Sequence, residues 1–167
     1  MFAFKFNTNA IPSAVQRHFN HRHISFLSPM TSYITGDELA EIIRSGKIPK
    51  KDYLVVDVRD DDYAGGNIVG GLNVPSNEFL NNVDKLVKET KDVPLVIFHC
   101  ALSQVRGPKA ARIYKETRQN VLSETDSTSS TKILVLRDGF TGFQSKFKDD
   151  ANLVENWDKD IWASDWN

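Results

Sequence analysis

The chain has 167 residues, of which 40% are hydrophobic and 26% charged, with a formal net charge of −1. That length suits one domain with a sizeable core. The near-neutral balance offers no global field for nucleic acid or an anionic membrane, and no run approaches the ~20 apolar residues of a membrane span. A single cysteine, Cys100, excludes an internal disulfide framework and Cys-x-x-Cys redox chemistry, and it suits a reducing compartment.

Residues 1–36 contain no Asp or Glu, but carry Lys5, Arg17, Arg22, His18, His21, His23 and several phenylalanines. Residues 1–30 therefore read as an N-terminal extension outside the fold, either a disordered tail or a targeting peptide. Cytoplasm or nucleus is the expected location, and the acid-free leader leaves the mitochondrion open. Thr35-Gly-Asp-Glu38 matches a capping box, followed by Leu39, Ile42 and Ile43 at helical spacing and a stop at Gly46. Leu54–Val58 reads as a buried parallel strand. Gly65-Gly66 and Gly70-Gly71 bracket Asn67–Val69 as loop, and Leu72–Val74 is a brief strand ended by Pro75. A helix is expected over about 77–90, then a central strand over 95–98, then a helix over 108–118 with Pro108 in its first turn. Residues 123–131 form a hydroxyl-rich loop, Ile133–Leu136 the last strand, and Gly139-Phe140 leads into a short helix carrying Phe147. Strands alternating with helices imply an α/β fold, a parallel sheet covered on both faces. Residues 148–167 read as an acidic tail with Trp157, Trp162 and Trp166, packed across the domain surface or docking a partner.

The chemistry concentrates where an apolar strand ends in His99-Cys100, five residues intervene, and Arg106-Gly-Pro opens an Ala-rich helix. Amide N–H groups and the dipole at a helix start stabilise anions, and the same field favours a thiolate. The residues Ala101, Leu102, Ser103, Gln104 and Val105 can curl into a cup for a tetrahedral oxyanion. Arg106 closes that cup with a planar fork able to grip two oxygens. Ligands of parallel sheets bind outside the carboxyl ends of the strands, where Cys100 falls. The bland alternatives are a packed core cysteine and an Arg106 that merely pairs with a nearby surface acid.

Leu-Val-Val-Asp57-Val-Arg59-Asp, Gly66-Asn-Ile68, Val-Ile-Phe-His99-Cys100, Arg106-Gly-Pro and Val-Leu-Arg-Asp-Gly139-Phe140 together resemble the rhodanese-like fold. Within it they look most like the M-phase inducer phosphatases and the small fungal phosphatase and arsenate reductase homologues. The resemblance covers about residues 31–147 and implies a five-stranded parallel sheet flanked by helices, Cys100 forming a phosphocysteine, and Arg106 gripping phosphate. It assigns Asp57 and Arg59 a chiefly structural role beside the cup, and His99 a loop-orienting role as a buried, hydrogen-bonded histidine. Sulfurtransferase relatives have an active loop one residue shorter, so the span Cys100–Arg106 favours phosphate or arsenate over a transferred sulfur. The acids that M-phase inducer phosphatases carry in the loop are replaced by Ala101 and Val105, which leaves the general acid unassigned. Asp60, Asp61 and Asp62 are substitutes by position, although three adjacent acids more often form a solvated turn.

The resemblance implies a cysteine-dependent phosphatase acting on phosphotyrosine or dual-specificity phosphoprotein substrates, or on small aryl phosphates, with inorganic oxyanions binding in the cup. No metal or organic cofactor is required. The runner-up is an arsenate reductase, for which glutathione and glutaredoxin would be needed because no second cysteine exists. A thiosulfate sulfurtransferase and a phosphate-binding pseudo-enzyme stand third.

Overall fold

The computed structural model describes residues 32–122 and 130–164. The N-terminal extension, its histidines, Trp166 and most of the hydroxyl-rich loop lie outside these residues. In chain order the elements are β1 (Tyr33–Ile34), α1 (Gly36–Arg44), β2 (Leu54–Asp57), a 3-10 turn (Asp61–Tyr63), β3 (Asn67–Ile68), β4 (Leu72–Asn73) and α2 (Phe79–Glu89). There follow β5 (Leu95–His99), α3 (Arg106–Val121), β6 (Lys132–Leu136), α4 (Gly139–Phe147), β7 (Val154–Glu155) and α5 (Lys159–Ser164).

Five strands form one parallel sheet in the order β1-β6-β5-β2-β4. The strands are apolar on both sides because both faces are covered. Leu54, Val56, Val96, Phe98 and Val135 point to one core with Phe79, Val83, Ala110 and Tyr114 of α2 and α3. Val55, Ile97, Leu134 and Leu136 point to the other, with Leu39 of α1 and Phe140 and Phe143 of α4. The period-2 alternation of each strand thus feeds two cores at once. The capping box of α1 forms as read: Glu38 N–H donates to Thr35 Oγ1 at 3.3 Å, and Thr35 N–H donates to Glu38 Oε2 at 2.8 Å.

Two expectations change. Asn67–Ile68 is a strand, β3, because it pairs antiparallel with β7 in a small second sheet. Helix α3 starts at Arg106 and runs to Val121, beyond the expected 108–118 at both ends. Pro108 still costs nothing, since a first-turn N–H lacks an intrahelical acceptor. Residues 150–164 pack against the domain. Leu153 and Val154 are buried in the second core, Trp157 Nε1 donates to Gln144 Oε1 at 2.9 Å, and Trp162 Nε1 donates to the Gly65 carbonyl at 2.7 Å. Apolar surface that α4 and the β3 turn would otherwise expose is what draws this segment in. Both tryptophans are half-buried against their own domain. Among the described residues no helix is long and apolar enough to cross a membrane.

Candidate active site

Strand β5 is central in the sheet, and its carboxyl end delivers His99 and Cys100 to the base of the following loop. Cys100 is 4% exposed. The loop turns back through Ser103, which is buried and adopts a left-handed conformation at φ +53°. Its hydroxyl oxygen accepts from the Cys100 N–H at 3.4 Å. Two loop carbonyls are tied down from outside: Phe140 N–H donates to Cys100 O at 2.9 Å, and Thr141 N–H donates to Ala101 O at 3.0 Å. In a trans peptide the N–H points opposite to its C=O. The amides of Ala101 and Leu102 therefore face away from α4, freed from carbonyl competition for an anion.

Two glycines make this geometry sterically feasible. Gly139 sits at φ +57°, and a Cβ there would lie 2.3 Å from Ala101 O and 2.4 Å from Cys100 O. Gly107, in the first turn of α3, would place a Cβ 3.3 Å from His99 Cα. The helix start is thus pressed against the end of β5, with its first amides beside the thiol-bearing loop. Leu102 and Val105 stand exposed on the loop's outer rim.

Asp57 and Arg59 form a buried pair behind the loop. Arg59 Nε donates to Asp57 Oδ2 at 2.9 Å and its NH2 donates to the same oxygen at 2.6 Å. Arg59 is 1% exposed, and a cation so deeply buried needs partners for its donors. NH2 also reaches Gly66 O at 2.8 Å, NH1 reaches the Asp62 backbone carbonyl at 3.2 Å, and the guanidinium lies 4.2 Å from the Phe140 ring centroid. Arg59 therefore braces the 60–62 turn. His99 is fully buried, and its imidazole makes one long hydrogen bond among the described residues, 3.4 Å from Nδ1 to Cys100 O. Nε2 has no hydrogen-bond partner among the described residues and sits 3.7 Å from Asp57 Oδ2. Burial pushes the imidazole pKa down, against the pull of Asp57, and His99 is neutral at physiological pH.

Arg106 opens α3 and reaches across to the Asp60–Asp62 turn. Its NH1 donates to Asp60 Oδ2 at 3.0 Å and Asp62 Oδ1 at 2.7 Å, and its NH2 donates to Asp62 Oδ2. Asp62 thus takes the fork bidentately. Asp60 is itself anchored, accepting from Ser76 Oγ at 2.7 Å and from Asn77 N–H at 3.1 Å. The hydrogen bond from Arg106 outweighs burial and holds the Asp62 carboxyl below its ordinary range. Burial raises Asp60, but its bonds to Ser76, Asn77 and Arg106 prevail and lower it. Asp62 in turn pushes the Arg106 guanidinium further above its usual value. Both aspartates are therefore ionised while Arg106 pairs with them. Asp61, between them, is exposed and takes no part in this pairing.

The structure brings Cys100, Ala101–Val105, Arg106, His99, Asp57 and Arg59 into one region, and it adds Asp60, Asp62, Ser76, Gly107 and Gly139. Arg106 pairs with nearby acids, as its alternative reading expected, and those acids are Asp60 and Asp62. Among the described residues no group of three or more His, Cys, Asp or Glu is placed to hold a metal ion.

The sequence matches the rhodanese-like domain family over residues 35–146. The chain belongs to that family. It is 31% identical over 135 residues to the dual specificity phosphatase ibp1 of Schizosaccharomyces pombe, covering 74% of this chain and 96% of that protein. It is 36% identical to arsenate reductase 2.2 of Oryza sativa subsp. japonica, covering 68% of this chain and 82% of the relative. Among solved structures, Ygr203w, a yeast protein tyrosine phosphatase of the rhodanese family, superposes with a TM-score of 0.65 at 29% identity, covering 79% of this chain and 96% of that one. The family match ends before β7, so the 150–164 segment that closes the second core lies outside it.

Proposed function

We propose that this rhodanese-like protein is a phosphatase that hydrolyses aryl phosphomonoesters, phosphotyrosine in proteins above all, through a Cys100-phosphate intermediate. The observation that carries this reading is the loop after β5. A cysteine lies at its base, two of its carbonyls are tied outward to α4, and an arginine stands at its far end. The thiolate attacks phosphorus, the ester P–O bond breaks, and the leaving oxygen departs with the bonding pair as phenolate or alkoxide, to be protonated by solvent. Water then displaces the thiolate to release inorganic phosphate. Loop amides and Arg106 stabilise the equatorial oxygens in both displacements.

The leaving group receives no evident help. Asp60 and Asp62 are ionised and engaged by Arg106, and the loop positions 101 and 105 are apolar. A missing general acid lowers rates by about 10²–10⁴-fold for poor leaving groups. Phenolate esters are accordingly the preferred class, and the exposed Leu102 and Val105 offer an aromatic ring an apolar rim. The test is hydrolysis of an aryl phosphate by purified protein against Cys100→Ser. Turnover surviving in the serine variant would remove the mechanism.

A second reading rests on the similarity to a rice arsenate reductase. Arsenate has phosphate's shape and would occupy the same loop, with Cys100 attacking arsenic. Glutathione and glutaredoxin would supply the two reducing electrons, since the chain holds one thiol. Arsenite formation with those components, above the Cys100→Ser background, is the measurement that decides it.

A further inference from the structure

We propose that Asp62 is a built-in competitor for the Arg106 fork, so that an oxyanion binds by exchanging with this carboxylate. The proposal rests on the reading of the 100–106 loop as an oxyanion site. A carboxylate and one edge of a phosphate present the same thing to a guanidinium, two oxygens spaced to accept parallel N–H bonds. Asp62 fills that place, with Oδ1 on NH1 and Oδ2 on NH2. Asp62 occupies the NH1–NH2 edge of the guanidinium, so an oxyanion that takes this same edge must displace it.

The two aspartates hold Arg106 differently, which divides their roles. Asp60 touches only NH1, and its oxygens are anchored by Ser76 and Asn77 at the start of the next segment. It stays where it is whether or not Arg106 is engaged elsewhere. Asp62 accepts both nitrogens, and its carboxylate is otherwise held by backbone N–H groups of its own turn, those of Asp60 and Asp62. Its backbone, by contrast, is fixed through the Arg59 bond to its carbonyl. The side chain can therefore swing off while the turn stays put. Asp62 is the exchangeable partner, and Asp60 keeps the guanidinium at the loop during the exchange. Weakly gripping monoanions are selected against, because they must displace a carboxylate of similar bidentate fit. Dianionic tetrahedral oxyanions, which also engage the loop amides, succeed.

The test is the affinity of the full-length protein for inorganic phosphate, by isothermal titration calorimetry, in wild type, Asp62→Asn, Asp60→Asn and Asp61→Asn. The amide that replaces the Asp62 carboxylate retains a side-chain oxygen for the Asp60 N–H, so the turn is preserved. The expectation is about tenfold tighter phosphate binding for Asp62→Asn, within the usual 5–150-fold range of coupled equilibria. Asp60→Asn should weaken it, because the guanidinium loses its anchor. Asp61→Asn makes the same charge change on an exposed side chain outside the Arg106 pairing, and should shift affinity by less than about twofold. A merely structural pair would weaken binding in both the Asp60 and Asp62 variants, and a pure charge effect would make the Asp61 and Asp62 variants alike. Either pattern overturns the exchange. If neither wild type nor Asp62→Asn binds phosphate, the oxyanion site itself is wrong. Binding that is present but unaltered in Asp62→Asn refutes the exchange and leaves the site standing.

Discussion

Gly139→Ala tests how the active loop is held. The added methyl would meet Ala101 O at 2.3 Å and Cys100 O at 2.4 Å, where ordinary carbon–oxygen contacts begin near ~3.3 Å. Relief requires the loop and the start of α4 to part by about 1 Å, which breaks or stretches the Phe140 and Thr141 N–H bonds to those same carbonyls. Two net hydrogen bonds at about 1 kcal/mol each, plus about 1–2 kcal/mol for an alanine held at positive φ, give a destabilisation of about 3–4 kcal/mol. The loop amides turn with their carbonyls, and a displacement of about 1 Å at a reacting centre costs on the order of 10²-fold. Urea unfolding and steady-state hydrolysis of an aryl phosphate measure the two effects. Gly46→Ala is the control, since Gly46 also has positive φ, +77°, but nothing within 4 Å of a new Cβ. It should lose only the backbone contribution and keep full activity. If Gly139→Ala matched Gly46→Ala in both assays, the contact between α4 and the loop would not be what shapes the site.

Arg106→Lys keeps the charge but loses the fork, and turnover on an aryl phosphate should fall about 10²–10³-fold with a smaller change in KM; near-wild-type turnover would refute the assignment. Arg59→Met strands the buried Asp57 carboxylate and should cost about 3–5 kcal/mol in urea unfolding, whereas a loss under about 1 kcal/mol would mean that Asp57 finds other compensation. His99 supplies a pH signature. Its pKa is lowered in the native protein from an ordinary 6.5, so below about pH 6.5 the unfolded chain takes up a proton that the native state refuses. Stability therefore falls with falling pH until the native pKa is reached, by at most ~1.4 kcal/mol per pH unit. Unfolding curves between pH 7 and 5 should show this slope in wild type and lack it in His99→Gln, and equal slopes would mean that His99 is protonated in the native state.

Much of the fold was legible because the relevant signals are local. The Thr35–Glu38 capping box, the apolar runs of β2, β5 and β6, and the strand–helix alternation each depend on residues a few positions apart. The exceptions share a cause. Asn67 and Ile68 carry no strand signature and lie between glycines; they become β3 only because a segment 88 residues away supplies the partner edge. The same pairing converts the acidic C-terminal stretch from an apparent tail into a wall of the second core. Apolar Leu153 and Val154 were visible in that stretch, but Asp149, Asp150, Glu155 and Asp158 around them masked a two-residue strand.

At the site, chemical identity was readable and arrangement was not. Cys100, the five-residue spacing and Arg106 follow from chain order, because the loop is one continuous segment. What the loop leans on is remote. Gly139 could be recognised as part of a Gly-Phe motif, yet the reason for a glycine is the approach of two carbonyls from a segment more than thirty residues earlier. Three successive aspartates read as solvated charge, and for Asp61 that is what they are. Asp60 and Asp62 differ only because Arg59 braces their turn from within and Arg106, 46 and 44 residues later, arrives beside them. In the pairing the structure shows, Arg106 keeps both carboxylates ionised. The same pairing is useful if its job is to hold the guanidinium in position and be exchanged. The proposed function and the proposed exchange of Asp62 would account together for this ionisation, this geometry and the apolar residues at positions 101 and 105.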